Sequence, residues 1–256
     1  MNSLQIAERV RERIETATRH LQSNPRERVQ LLTFEGIPLT QIPDNLPEGI
    51  TILCLNGTDI RTLDGATLPK SLKTIEAVQT KLHSVVNLDQ LPNLMDLNLA
   101  WSTWLDTLGA LPKSLVSLTT RNSAYLHTLP PLGHTKLHYL TLTGCHALQR
   151  IPDLPSTVIT LSLNATAVRT LPYIPDTLVF LDPSDALRMP TPAVRTPQQH
   201  AAYYRRDQHD AFHALAKMRF DALHEELMAA AWHPDRVSKW LSHGEEVLDM
   251  MMGVSA

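Results

Sequence analysis

Leu46-Pro-Glu-Gly-Ile50-Thr-Ile-Leu53-Cys-Leu55 is one copy of a phrase that recurs down the middle of this chain. Its plan is Leu-Pro, a short spacer, an apolar residue, then x-x-Leu-x-Leu. Further copies open at Leu68, Leu91, Leu111, Leu132 (with Gly133 in place of the proline) and Leu154, and a degenerate copy opens at Pro175. The spacings are 22, 23, 20, 21, 22 and 21 residues. A fixed period of this size marks a stack of similar units, because so short a segment cannot bury its own apolar face and must lean on its neighbours. Such a solenoid offers a long lined surface and no enclosed pocket. Its expected function is to bind another macromolecule, not to catalyse.

In the copy from Leu46, the inward positions are Ile50, Leu53, Leu55, Ile60 and Leu63. Leu72, Ile75, Ala77, Leu82 and Val85 take the same offsets in the next copy, and Val158, Leu161, Leu163, Val168 and Leu171 do so near the end. Leu-x-Leu reads as a short strand whose alternate residues point to opposite faces. Successive strands should pair in parallel, about 4.8 Å apart. The repeated proline fixes φ and lacks a donor, so the return from one strand to the next is expected to be extended, not a long helix. Thr58, Thr80 and Thr166 share one column of the turn after the strand. Cys145 falls in that column and reads as a small buried hydrophobe, not a reactive thiol. His146 beside it makes no dyad, which requires spatial reach and a third orienting group. Three middle copies are one residue longer in this turn: Leu99 to Leu105, Thr120 to Leu126 and Leu142 to Leu148.

Working outward, Val29, Leu32, Phe34, Ile37, Leu39 and Ile42 match the same offsets as a first, atypical repeat. Ahead of it, Ala7, Val10, Ile14, Ala17 and Leu21 recur at helical spacing, and Ser3 can cap the start. The reading divides the chain into a capping helix over 1–28, a solenoid over 29–182, a proline-rich linker over 183–198 and a helical region over 199–256. In the last region Phe212, Leu215, Leu223 and Leu227 form an apolar stripe. Pro234 and Gly244 frame a second short helix.

The apolar fraction, 43%, and charged fraction, 19%, are those of an ordinary globular protein. Net charge is −3, so there is no basic excess for phosphate backbones and no nucleic-acid partner is expected. No apolar run is long enough to span a bilayer, and charge from Glu8 onward leaves no secretory h-region. Cys54 and Cys145 stand four repeats apart, about 19 Å at the strand spacing, far beyond disulfide reach. Free thiols without a signal peptide point to a reducing compartment, the cytoplasm. Half of the twelve histidines lie after residue 199. His209-Asp-Ala-Phe-His213 echoes a zinc-protease motif but has Asp210 where that chemistry needs Glu, so no metal is expected. No cofactor motif appears. Oligomeric state is left open.

Leu68-Pro-Lys-Ser-Leu and Leu111-Pro-Lys-Ser-Leu, with the repeated Thr-Leu-Pro endings, resemble the short leucine-rich repeats of bacterial type III effectors of the LPX group. The resemblance covers residues 1–182. It implies an α/β solenoid: leucine-rich repeats with short parallel strands, an N-terminal capping helix and, here, a C-terminal helical segment. The ubiquitin-ligase members of that group carry a large catalytic domain with a nucleophilic Cys. This chain has no cysteine after Cys145, so that activity is not carried over and no enzyme is expected. The phrase from Glu226 to Gly244 resembles a C-terminal motif in proteins of large double-stranded DNA viruses. Together the two resemblances imply a viral or effector protein acting in a host cytoplasm.

The leading expectation is a protein-protein interaction scaffold that binds a partner on the concave strand face. Its candidate residues are Glu35, Asn56, Glu76, Asp96, Asn98, Arg121, Tyr139 and Asn164, within a strip that also holds Ser117 and Ser162. Arg121 and Tyr139 are the residue types that most often anchor interfaces. His83 and His127 should lie outside this strip. The alternative is an adaptor that recruits substrates to a host ubiquitin ligase through the C-terminal helices.

Overall fold

Each Leu-x-Leu phrase gives a three-residue strand centred on its first apolar residue, with the second just past the strand end. The computed structural model describes residues 2–27, 30–171 and 175–182. The expected linker and C-terminal helical region, with their histidines and the viral-like phrase, lie outside the described residues. In chain order the strands are β1 (Leu31–Thr33), β2 (Ile52–Cys54), β3 (Thr62–Asp64), β4 (Thr74–Glu76), β5 (Ser84–Val86), β6 (Asp96–Asn98), β7 (Thr107–Leu108), β8 (Ser117–Thr119), β9 (Tyr139–Thr141), β10 (Thr160–Ser162) and β11 (Phe180–Asp182).

Eight of these strands form one sheet in the order β1-β2-β4-β6-β8-β9-β10-β11. Every pairing is parallel and advances one repeat, so Leu32, Leu53, Ile75, Leu97, Leu118, Leu140, Leu161 and Leu181 stand in register. All eight are buried in one continuous core. The pairing runs past each strand end: Leu55 N–H donates to the Glu76 carbonyl, Ala77 N–H to Asn98, and Leu99 N–H to Thr119. The three-residue strands therefore understate how much backbone each rung ties down.

The return path is more ordered than the sequence foretold. β3, β5 and β7 make a second parallel sheet on the rear of the stack, and the short 3-10 turns Gly65–Thr67 and Leu88–Gln90 follow the first two. Gly65 lies so close to this second turn that a Cβ would meet the Asn87 carbonyl and Leu88 Cα.

The N-terminal helix α1 spans Ser3–Ser23. Its cap is Asn2, not Ser3: the Asn2 side chain accepts from Gln5 N–H at 2.9 Å, and Gln5 Oε1 accepts from Asn2 N–H at 3.0 Å. This reciprocal pair satisfies two otherwise orphaned donors, which is why it wins over a lone serine. Ile14 and Ala17 enter the core, with Ile6, Val10 and Leu21 packed against it. Ala7, expected on this stripe, is exposed, and Ile6 takes the place next to Val10. The helix thus covers the open side of the first repeat.

Candidate functional site

The residues between the core leucines line the front of the main sheet in columns. One column runs Leu31, Ile52, Thr74, Asp96, Ser117, Tyr139, Thr160, Phe180, and the next runs Thr33, Cys54, Glu76, Asn98, Thr119, Thr141, Ser162, Asp182. A third column, Glu35, Asn56, Val78, Ala100, Arg121, Thr143, Asn164, follows the strand ends. It is held rung to rung by bonds such as Gly57 N–H to the Val78 carbonyl and Trp101 N–H to the Arg121 carbonyl. Asp96 and Tyr139 therefore share the first column two rungs apart, Glu76 and Asn98 are neighbours in the second, and Glu35, Asn56, Arg121 and Asn164 share the third.

Several of these side chains have work inside the chain. Asn98 Nδ2 donates to Glu76 Oε2 at 3.2 Å, and Asn98 Oδ1 accepts from Ala100 N–H. Asn56 Oδ1 accepts from Val78 N–H at 2.8 Å. These contacts brace the turn column. Tyr139 meets the His138 ring edge-on, with centroids 6.1 Å apart. Arg121 stands one rung before Tyr139 and is half-buried, as are Tyr139 and Asp96. Ser117 and Ser162 lie on the front face as expected but are buried, each 5% exposed. Their side chains are short, and larger residues stand beside them in register: Tyr139 next to Ser117, and Thr141 and Asp182 on either side of Ser162.

Both thiols are held in their protonated form more firmly than a free thiol. Burial pushes Cys54 up from the ordinary thiol range, and the carboxylates of Glu35 and Glu76 add to the rise against hydrogen bonds from Asn56 and Thr33. Burial likewise pushes Cys145 up, against hydrogen bonds from Thr120 and Ser123. Cys145 Sγ donates to the Thr120 carbonyl at 3.0 Å. It belongs to a buried column of hydroxyls that each bind a turn carbonyl: Thr58 to Leu55, Thr80 to Ala77, Ser123 to Leu99 and Thr166 to Leu163. Thr80 and Ser102 also bond each other at 2.8 Å. Among the described residues no group of three His, Cys, Asp or Glu could hold a metal. No helix among them is long and apolar enough to cross a membrane.

Sequence reasoning passed over a second surface. In the lengthened turns, Trp104 and Tyr125 each precede a core leucine, Leu105 and Leu126. Their rings lie 5.7 Å apart and within 5° of parallel, and His83 stacks on the other side of Trp104 at 6.1 Å. Trp104 and Tyr125 are each 53% exposed. The extra residue in those turns was the available signal.

No family model matches the chain. It is similar to the disease resistance protein RRS1 of Arabidopsis thaliana, 26% identical over 155 residues, which is 60% of this chain and 11% of that protein. It is 39% identical over 110 residues to the probable disease resistance protein At4g19520 of Arabidopsis thaliana, 39% of this chain and 6% of that one. The chain thus spans about a tenth or less of the curated relatives it matches. Among solved structures, YopM from Yersinia enterocolitica WA-314 superposes with a TM-score of 0.52 at 24% identity, over 68% of this chain and 37% of that one. Repeat period, register and this superposition agree that the fold is a leucine-rich-repeat solenoid with an N-terminal capping helix.

Proposed function

We propose that this chain is a non-enzymatic interaction scaffold that binds a protein partner on the front of its main sheet. The observation that carries the reading is the continuous face of eight parallel strands, with Glu76 and Asp96 on one side and Arg121 and Tyr139 one and two rungs further along. Arg and Tyr supply large contact area with directional donors, while the small Thr and Ser side chains around them let a partner approach the sheet. The half-buried setting of both favours their role as anchors, since water is already partly excluded around them. The bracing bonds of Asn56 and Asn98 make these two supports of the surface more than contacts. The LPX-like repeats favour an effector protein acting inside a host cell.

The experiment is affinity capture followed by titration with the full-length chain. Alanine at Arg121 and at Tyr139 should each weaken the captured partner by more than about 1 kcal/mol, with circular dichroism unchanged. A partner that tolerates both changes but is lost on deleting residues 199–256 would overturn the reading and place binding in the C-terminal region.

A further inference from the structure

Among the described residues, two enclosed hydroxyls on the front of the main sheet, Ser117 Oγ and Thr160 Oγ1, lack a hydrogen-bond partner. Ser117 is 5% exposed and Thr160 8%. Each alternates with a core leucine, Leu118 or Leu161, so each faces forward, in the column that also holds Asp96, Tyr139 and Phe180. An enclosed hydroxyl left without a partner is costly, and folded proteins hold few of them. The core closes off the rear of the sheet, so a partner for either can come only from the front.

The two hydroxyls differ in their neighbours. Thr160 stands between Tyr139 and Phe180. Ser117 stands between Asp96 and Tyr139, each on an adjacent strand. Its walls, a carboxylate and an aromatic ring, are two strand spacings apart, about 9.6 Å. A hydroxyl floor between these two walls suits the side chain of arginine. A guanidinium is planar, pairs with a carboxylate, lies against an aromatic ring and has N–H groups left over for a further acceptor. Because Ser117 is enclosed, a ligand reaches it only after one of the two walls changes rotamer, a common event at interfaces.

The charge of the face agrees. Among the described residues its three columns carry Glu35, Glu76, Asp96 and Asp182 against one base, Arg121. Glu35, Glu76 and Asp96 step diagonally across the first four rungs, from the third column to the first, and end beside Ser117. Arg121 is four residues beyond Ser117, on the opposite side of the face. The residues flanking the first column add Lys73, exposed two strands back, and His138, whose ring meets Tyr139 edge-on. The acids act within the chain too: after burial, the carboxylates of Glu35 and Glu76 help hold the Cys54 thiol above its ordinary range.

Taking the front of the sheet as the binding surface, as the proposed function does, we propose that its occupant is a basic segment of a protein partner. One arginine of that segment enters between Asp96 and Tyr139 and donates to Ser117 Oγ. Further basic side chains lie back along Glu76 and Glu35.

The test uses the full chain and three synthetic peptides that carry Arg, Lys or Glu at alternate positions in a serine background. Binding is followed by titration calorimetry and by the ring resonances of Tyr139. The arginine peptide should bind and shift those resonances. The lysine peptide should bind at least about threefold more weakly, lacking the planar fork, and the glutamate peptide should not bind. Ser117→Ala should weaken the arginine peptide about three- to tenfold, the worth of one hydrogen bond. The same variant should keep the urea midpoint level or raise it, because no internal bond is lost. Asp96→Asn should weaken the arginine peptide and flatten its salt dependence. Asp106→Asn removes the same charge from the turn edge and should leave binding unchanged. No binding of the arginine peptide up to roughly 1 mM, equal binding of the glutamate peptide, or tighter binding of the lysine peptide would each overturn the proposal. So would full binding by Ser117→Ala, a lowered midpoint for that variant, or an equal loss with Asp106→Asn. If one of these occurs while Arg121→Ala and Tyr139→Ala still weaken a captured partner, the front face stands as an interaction surface and only its basic occupant falls.

Discussion

Seven turns of the stack pass through the left-handed backbone region at the same place, at Gly36, Gly57, Gln79, Trp101, Asn122, Gly144 and Ala165. Glycine is at ease there, and asparagine nearly so; alanine is not. Ala165 has φ of 54° and an exposed side chain, so its methyl gains nothing from burial to offset the strain. The left-handed conformation costs an L-residue roughly 1–2 kcal/mol, against the roughly 0.5–1 kcal/mol of extra chain entropy that glycine loses on folding. Ala165→Gly should therefore stabilise the protein by about 0.5–1 kcal/mol, read as a higher urea midpoint. A lower midpoint would mean the turn is held by something other than this backbone preference. The two thiols offer a second test at this scale. Cys54 is half-buried on the front face and Cys145 is 0% exposed in the turn column. Burial raises both above the ordinary thiol range, so labelling by a thiol reagent should be slow and should quicken as pH rises, with Cys54 ahead of Cys145 throughout. Faster labelling of Cys145 would reverse the assignment of faces.

Among the elements, the front strands and the core columns were legible because a period of about 21 residues and an alternation of two are both written in the leucines. The rear sheet was not. β3, β5 and β7 are two or three residues long, too short to show an alternating pattern, and their order comes from neighbouring rungs that the sequence does not show side by side. The helix cap was misplaced by one residue because Asn2 and Ser3 are both good caps, and only the reply from Gln5 decides between them. For the candidate site, alternation placed the face, but not which polar groups are consumed within the chain. Asn56 and Asn98 bond turn amides whose positions depend on the left-handed bend. The rear sheet also supports a prediction. Asp64 ends β3 and accepts from Ala66 N–H and from Asn87 Nδ2, each at 2.9 Å. The Asn87 bond, then the Ala66 bond, holds its carboxyl below the ordinary carboxylate range. A lowered folded value means the contribution is present above the unfolded carboxylate value and is lost as pH falls through the folded one. Asp64→Asn keeps an acceptor but not the charge. The variant should be less stable than the parent at neutral pH, and the gap should close under acid. A gap independent of pH would show that the charge plays no part.

At the scale of the whole stack, each repeat is stabilised by its neighbours more than by itself, so a defect in the middle is felt on both sides. Leu97 and Leu140 are both 0% exposed and sit between buried partners on adjacent strands. Leu97→Ala and Leu140→Ala should each cost about 2–5 kcal/mol, measured as a fall in the denaturation midpoint. An unchanged midpoint for Leu140→Ala would break the register on which the front face depends. The rear sheet has a consequence of another kind, for bending. Neighbouring repeats can tilt into an arc only if their front and rear spacings differ. From Thr62 to Leu108 strands pair at front and rear alike, both at the sheet spacing of about 4.8 Å. That span is tied on two sides, which leaves its repeats less freedom to tilt against one another. Beyond Gly109 no strands pair at the rear among the described residues, so each rung is tied by a sheet in front alone. Arg121 and Tyr139 stand just past this change. A partner spanning the acids and the Arg-Tyr pair would lie across a doubly tied backing at one end and a singly tied one at the other.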